Sequence, residues 1–240
     1  MILSRYGLRE WGLATAIAIA IVLIAGRGSI PPIWVIATVG FVWFVIAAFF
    51  RDPLLRKPAT ESSLDLVSPA DGVVSAVFTI DHHPATDSPA TIVRIFLSVL
   101  DVHINRMPCE ATVISTLHTP GRYLDARSPE SAQVNESNLI LLRNSEGERL
   151  GVRQVSGAIA RRIVCPLSAG DSFARGERFG MIKFGSTTEL IVPTRLTDVV
   201  RVAKGDRVTG GVTILVSMKS KDITLTANRA SSSATAAGHA

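Results

Sequence analysis

The stretch Lys183-Phe184-Gly185-Ser186-Thr187-Thr188-Glu189-Leu190-Ile191-Val192-Pro193 decides how the back of this chain is read. Glu189–Pro193 is apolar after its first residue and predicts a strand, with Gly185-Ser186 as a turn between two strands. The same pair admits a chemical reading. A serine hydroxyl can attack the preceding carbonyl and turn the amide into an ester. Elimination across the serine Cα–Cβ bond then breaks the chain, and the dehydroalanine so formed hydrolyses to an N-terminal pyruvoyl group. Glycine lacks Cβ, so it tolerates the backbone such an attack needs. An isolated Gly-Ser pair does not choose between these readings; the rest of the chain has to.

Working outward, further short strands are predicted at Gly72–Phe78, Thr91–Leu97, Ala111–Leu117, Asn138–Leu142, Leu150–Gln154, 159–165 and Gly211–Val216. Turn residues separate them at short intervals, and the one helical signal is a short turn at Ser168–Ala174. The fold class is therefore mainly β (α+β), a compact barrel or sandwich. The front of the chain differs. Trp11–Ala25 and 30–50 carry no charge, no polar face is visible in either, and the whole chain is 47% hydrophobic and only 19% charged. These stretches predict a transmembrane helical hairpin, with apolar spans at about 8–26 and 30–50 and a tight turn at 26–29. A cleaved signal peptide is disfavoured, because a second apolar span follows at once. Arg5 and Arg9 precede the first span, Arg51, Arg56 and Lys57 follow the second, and only Arg27 lies between them. The basic ends place the β domain at the cytoplasmic face of the cell membrane. The expected organisation is an anchor at 1–57, a β-rich domain at 58–226 and a disordered Ala/Ser-rich tail at 227–240.

The formal charge of +5 suits an anionic lipid surface. Nucleic acid is discounted, because the basic residues are scattered with no aromatic-interleaved stripe. Cys109 and Cys165 stand far apart without metal spacing and read as reduced, buried thiols; no metal is implied.

Five segments fall in order along the chain: Phe49-Phe50-Arg51-Asp52-Pro53, Ser68-Pro69-Ala70-Asp71-Gly72, Asp101-Val102-His103-Ile104-Asn105-Arg106-Met107-Pro108, Phe173-Ala174-Arg175-Gly176-Glu177-Arg178-Phe179-Gly180 and Gly185-Ser186-Thr187. Together they resemble the shorter phosphatidylserine decarboxylase proenzymes, from about Phe49 to Leu215. The resemblance implies a pyruvoyl-dependent enzyme that cleaves itself at Gly185/Ser186 into a β chain 1–185 and an α chain 186–240. The two chains stay together as a heterodimer or higher oligomer. Ser186 would become the covalent pyruvoyl cofactor, which converts phosphatidylserine in the membrane to phosphatidylethanolamine and CO2 through a Schiff base. Carried over residue by residue, the catalytic set is Ser186, His103 and Asp71. A serine needs a base, and the base an orienting carboxylate. Longer family members have a second histidine three residues after the first; here that place is Arg106, so either His103 serves both cleavage and decarboxylation or another group shares the work. Arg106, Arg161, Arg162 and Lys183 are candidates for the headgroup phosphate or carboxylate.

A second class of protein competes: a non-catalytic, membrane-anchored, lipoyl-like β module that serves assembly or carriage. It wants a lysine at a hairpin tip, for which Lys204-Gly205-Asp206 is the candidate, and it leaves the other motifs unexplained.

Overall fold

The computed structural model describes residues 2–27, 32–128, 130–158, 162–183 and 185–219. Its first part is a pair of helices, α1 (Leu8–Ala25) and α2 (Pro32–Phe49). Pro32 opens α2 at a first-turn position, where its missing N–H costs no hydrogen bond. The helices run antiparallel. Trp43 Nε1 donates to Thr15 Oγ1 at 2.8 Å, and Val22 and Leu23 face Ile36 at the other end. Their outer faces are uncovered: Leu23 is 63% and Phe41 69% exposed. That exposure is normal only where the solvent is itself apolar.

Arg5–Ala25 is long and apolar enough to cross a bilayer and is the one such helix among the described residues. The apolar part of α2, Ile33–Phe49, is shorter. Residues 28–31, where the second span was expected to begin, and the predicted tail lie outside the described residues.

A clasp closes the base of the pair. Ile2–Leu3 pairs antiparallel with Arg51–Asp52, Ser4 N–H donates to the Phe50 carbonyl at 2.8 Å, and Trp11 Nε1 donates to the Ser4 carbonyl at 3.0 Å. Phe49 and Phe50 then pack with Val102, Ile104 and Met181 of the β domain. The helices are thus bolted to the domain rather than tethered by a linker.

The β domain is built on one eight-stranded antiparallel sheet: β1 (Gly72–His83), β2 (Ser88–Leu97), β3 (Ala111–Thr119), β4 (Ser137–Asn144), β5 (Arg149–Val155), β6 (Ser172–Phe173), β7 (Ser186–Pro193) and β8 (Arg207–Val208). The order is β6-β3-β4-β5-β7-β2-β1-β8. It is not a closed barrel. The two-residue edge strands β6 and β8 do not pair with each other, so the sheet curls around its core and stays open. Two three-stranded sheets cover it: Ile163–Val164, Arg178–Ile182 and Ile104–Arg106 in one, Thr197–Val200, Ile214–Met218 and Asp65–Val67 in the other. The main core joins Val93, Ile95, Ile140, Leu142, Val152 and Leu190.

The turn of helix expected at Ser168–Ala174 is absent; that segment is a loop leading into β6, held by the Asp171 carboxylate accepting from Ser168 N–H at 2.8 Å. His82 and His83 continue β1 to its end. Polar side chains on a strand's outer face look like a loop when the pairing partner is unknown.

Candidate active site

β7 is the inner strand on which the site rests. It pairs with β2 on one side and β5 on the other, and every residue from Ser186 to Pro193 is buried. Its period-two alternation sends Leu190 and Val192 into the main core, with Thr188 and Ser186 on that same side of the strand. Ser186 is paired with Leu97, fully buried, and its Oγ has no hydrogen-bond partner among the described residues. Gly185 just before it has φ +65°, a left-handed conformation that glycine adopts without strain. Close packing reaches the Gly185 carbonyl as well: a Cβ built on Gly157 would sit 1.8 Å from that oxygen. Only glycine at 157 lets the chain pass there. Continuing the Thr187–Val155 register by one residue puts Ser156 across from Ser186, and its Oγ is also buried without a partner.

His103 precedes the short strand Ile104–Arg106. It is fully buried, and its ring lies 4.4 Å, centroid to centroid, from that of Phe49 at a tilt of 40°. Its Nδ1 is 2.9 Å from the Asp101 carbonyl. A carbonyl only accepts, so Nδ1 carries the proton and Nε2 keeps its lone pair. That Nε2 is buried with no partner among the described residues. Burial pushes the imidazole pKa down to about 4, against the opposing pull of Asp101 and Asp71. At neutral pH the ring is uncharged and able to accept a proton.

A chain of buried amides joins the strand that follows His103 to β7 and β5. Asn105 Nδ2 donates to Thr188 Oγ1 at 3.1 Å, Gln154 Nε2 to Asn105 Oδ1 at 2.8 Å, and Asn138 Nδ2 to Gln154 Oε1 at 3.3 Å. His103 and Asn105 share one side of their strand, as Ser186 and Thr188 share one side of β7. The Asn105–Thr188 bond ties the strand after His103 to β7 two residues beyond Ser186. Polar residues at core positions of apolar strands were the available signal for this network, and Gln154 in Leu150–Gln154 is the clearest case.

Asp71 stands elsewhere. Its carboxylate is forked by Arg56, with Nη2 at 2.8 Å from Oδ2, and accepts from Gly210 N–H at 2.8 Å. It reaches His103 through the field alone; the hydrogen-bond partner that orients the ring is the Asp101 carbonyl. Two of the basic candidates are also engaged internally. Arg106 is buried and donates to the Pro53 carbonyl at 2.7 Å, the Gly176 carbonyl at 3.0 Å and Asp52 Oδ1 at 3.2 Å. Lys183 is buried, pairs with Glu10 of α1 and lies 5.9 Å from the Phe50 ring. Arg162 is exposed, and its backbone carbonyl accepts from Lys183 N–H at 3.2 Å. Arg161 lies outside the described residues. Both thiols are inert: burial pushes Cys109 up to about 12 and Cys165 up to about 11.

A buried serine whose hydroxyl has no partner among the described residues thus follows a left-handed glycine, and a buried, neutral histidine precedes the strand that Asn105 bonds to β7; no hydrogen bond joins the two side chains. The phosphatidylserine decarboxylase family profile matches residues 43–216, which span every element of this site except Glu10. The chain belongs to that family. It is 37% identical to a phosphatidylserine decarboxylase proenzyme of Magnetococcus marinus over 77% of this chain and 84% of the relative. It is 34% identical to one of Aromatoleum aromaticum over 90% of this chain and 96% of the relative, and 42% identical to one of Solidesulfovibrio magneticus over 70% and 76%.

Proposed function

We propose that this chain is a self-processing, pyruvoyl-dependent phosphatidylserine decarboxylase held at a membrane by its two helices. The observation that carries this reading is the Ser186 hydroxyl: fully buried, without a partner, and directly after a glycine at φ +65°. A buried hydroxyl left without a hydrogen bond is costly, so it needs an explanation in chemistry.

Ser186 Oγ attacks the Gly185 carbonyl carbon while His103 Nε2 takes the hydroxyl proton. The amide nitrogen leaves the carbonyl, accepts a proton and becomes the free amine of residue 186, now joined to Gly185 as an ester. Loss of the 186 Cα proton and cleavage of the Cβ–O bond release Gly185 as a carboxylate. Water replaces the nitrogen, which departs as ammonia. The Asp101 carbonyl fixes the tautomer that leaves Nε2 basic, and Phe49 excludes water from one face of the ring. Asp71 favours the imidazolium through its charge and holds Arg56 and the Gly210 backbone in place. The buried donors of Asn105 and Gln154 keep β7 and the histidine strand in register.

The surroundings of Ser186 fit the group it would become, since the hydroxyl makes no bond that the conversion would break. A pyruvoyl group at 186 supplies an electron sink for decarboxylation of an amine-bearing headgroup. Basic residues at the outer ends of both helices support a cytoplasmic domain. No tip lysine or prosthetic attachment is needed, so the carrier-module reading has no observation in its favour.

The test is a denaturing gel and a decarboxylation assay on the purified full chain with phosphatidylserine vesicles. Two fragments and released CO2 are expected. One intact chain that still decarboxylates, or two chains that do not, would refute the reading.

A further inference from the structure

The turn Ser98–Asp101 follows β2 and precedes His103. It is stapled at both ends: Asp101 N–H donates to the Ser98 carbonyl at 3.0 Å, and the Asp101 carboxylate accepts from Ser98 N–H at 2.8 Å and Ser98 Oγ at 2.7 Å. Arg207 Nη1 holds the other carboxylate oxygen at 3.1 Å. A polar staple of this kind fixes the turn and leaves its two central side chains pointing away. Those side chains are Val99 and Leu100, 45% and 79% exposed. Two apolar residues at the tip of a turn this tightly built form an unusual surface in water.

Two observations say what covers them. Arg51 Nη1 donates to the Ala48 carbonyl of α2 at 2.8 Å, while its Nη2 donates to the Leu100 carbonyl. One arginine side chain therefore spans from the last turn of the apolar helix to the tip, so the tip stands at the base of the helix pair. The flanking charges are cationic, Arg51 on one side and the largely exposed Arg207 on the other, as an anionic headgroup layer favours. The turn also borders the chemistry: Val99 and Ser98 line a cavity of about 400 Å³ whose wall includes Phe96, Arg127 and Gly185.

We propose that Val99 and Leu100 dip into the bilayer and form the lipid-facing lip of this cavity, so that a headgroup passes from the membrane surface directly to residue 186. The occupant is a phospholipid bilayer, not a protein. The proposal rests on the decarboxylase reading for the headgroup and on geometry for the insertion, and the experiment separates the two.

The processed full chain is reconstituted in phosphatidylcholine vesicles. It is assayed with long-chain phosphatidylserine in the same bilayer and with short-chain phosphatidylserine dissolved in water. Leu100→Asp should lower turnover of the long-chain substrate about tenfold, the scale of withdrawing one leucine from an apolar phase. Short-chain turnover should stay within about twofold, as for a surface substitution, and self-cleavage should be complete. A nitroxide on Leu100→Cys, with Cys109 and Cys165 replaced, should be more accessible to oxygen than to a water-soluble relaxant. If Leu100→Asp fails to cleave, Leu100→Ser takes its place in both assays. A water-exposed nitroxide, or equal loss on both substrates in a cleaved variant, overturns the proposal. If the wild type decarboxylates neither substrate, the functional reading has failed, while the nitroxide still decides the insertion.

Discussion

The helix pair and the strand β7 invert each other's rules. In α1 and α2 large apolar side chains stand uncovered, among them Ile24 at 68% exposed and Trp34 at 70%. In β7, in β5 and in the strand Ile104–Arg106, Ser186, Thr188, Gln154 and Asn105 are fully buried. Each region would be unstable by the other's logic. Uncovered apolar surface implies an apolar solvent, and buried hydroxyls and amides imply either a complete hydrogen-bond network or a reaction. Thr188, Asn105 and Gln154 belong to a network; Ser186 Oγ and His103 Nε2 do not. The two regions meet at Phe49, the last residue of α2, which lies against the histidine ring. The helix pair therefore forms one wall of the candidate site.

The sharpest way to break this comparison is to remove the unengaged hydroxyl. Ser186→Ala should give a single uncut chain with no decarboxylase activity, while the membrane fraction it occupies is unchanged. Next in size, His103→Ala should slow cleavage by about 10²–10⁴-fold, the usual loss of a general base, as followed by the cut fraction after expression. The pH dependence follows from the depressed pKa of about 4. The neutral form persists well below the ordinary histidine range, so cleavage in the wild type should fall only as pH drops toward 4, not through 6.5. Stability has the same sign. The unfolded chain binds a proton on His103 between roughly pH 6.5 and 4 that the folded chain refuses, so stability falls as pH falls across that window.

Phe49→Ala tests the wall directly. It opens the ring of His103 to water, so the acid limb of cleavage should move up toward the ordinary histidine value, and stability should fall by about 3 kcal/mol. A lower melting temperature with no shift in the acid limb would make Phe49 ordinary packing. By the same argument, a chain lacking residues 1–50 should process more slowly than the intact one, because the cut removes Phe49 and Phe50. The smallest effect is expected at Glu10→Gln, which leaves Lys183 without its partner from α1. A shift of about 1 kcal/mol or less in unfolding, with cleavage retained, is predicted for a pair whose carboxylate is one-third exposed.

Much of this could be read from the chain. The apolar helices, the eight-stranded sheet's principal strands and the Gly185-Ser186 pair have local signatures: charge-free runs, alternation, and a glycine where φ is positive. What could not be read depends on contacts between distant segments. Asp71 sits in a turn sequence that says nothing of Arg56, fifteen residues earlier, as its partner. Arg106 and Lys183 read as headgroup candidates because their acceptors, the Pro53 and Gly176 carbonyls and Glu10, are remote in sequence. Phe49 read as the end of a span, since only the fold brings it to His103. Sheet closure was equally out of reach, because it turns on two edge strands of two residues each.

The central claim is that Ser186 is consumed to make the catalytic group, and intact mass of the purified full-length chain tests it most directly. Two chains are predicted, one ending in Gly185 as a free acid, the other lighter by one ammonia than a chain beginning with serine. A single uncut mass, or a smaller chain whose N-terminus is an intact serine, would contradict it.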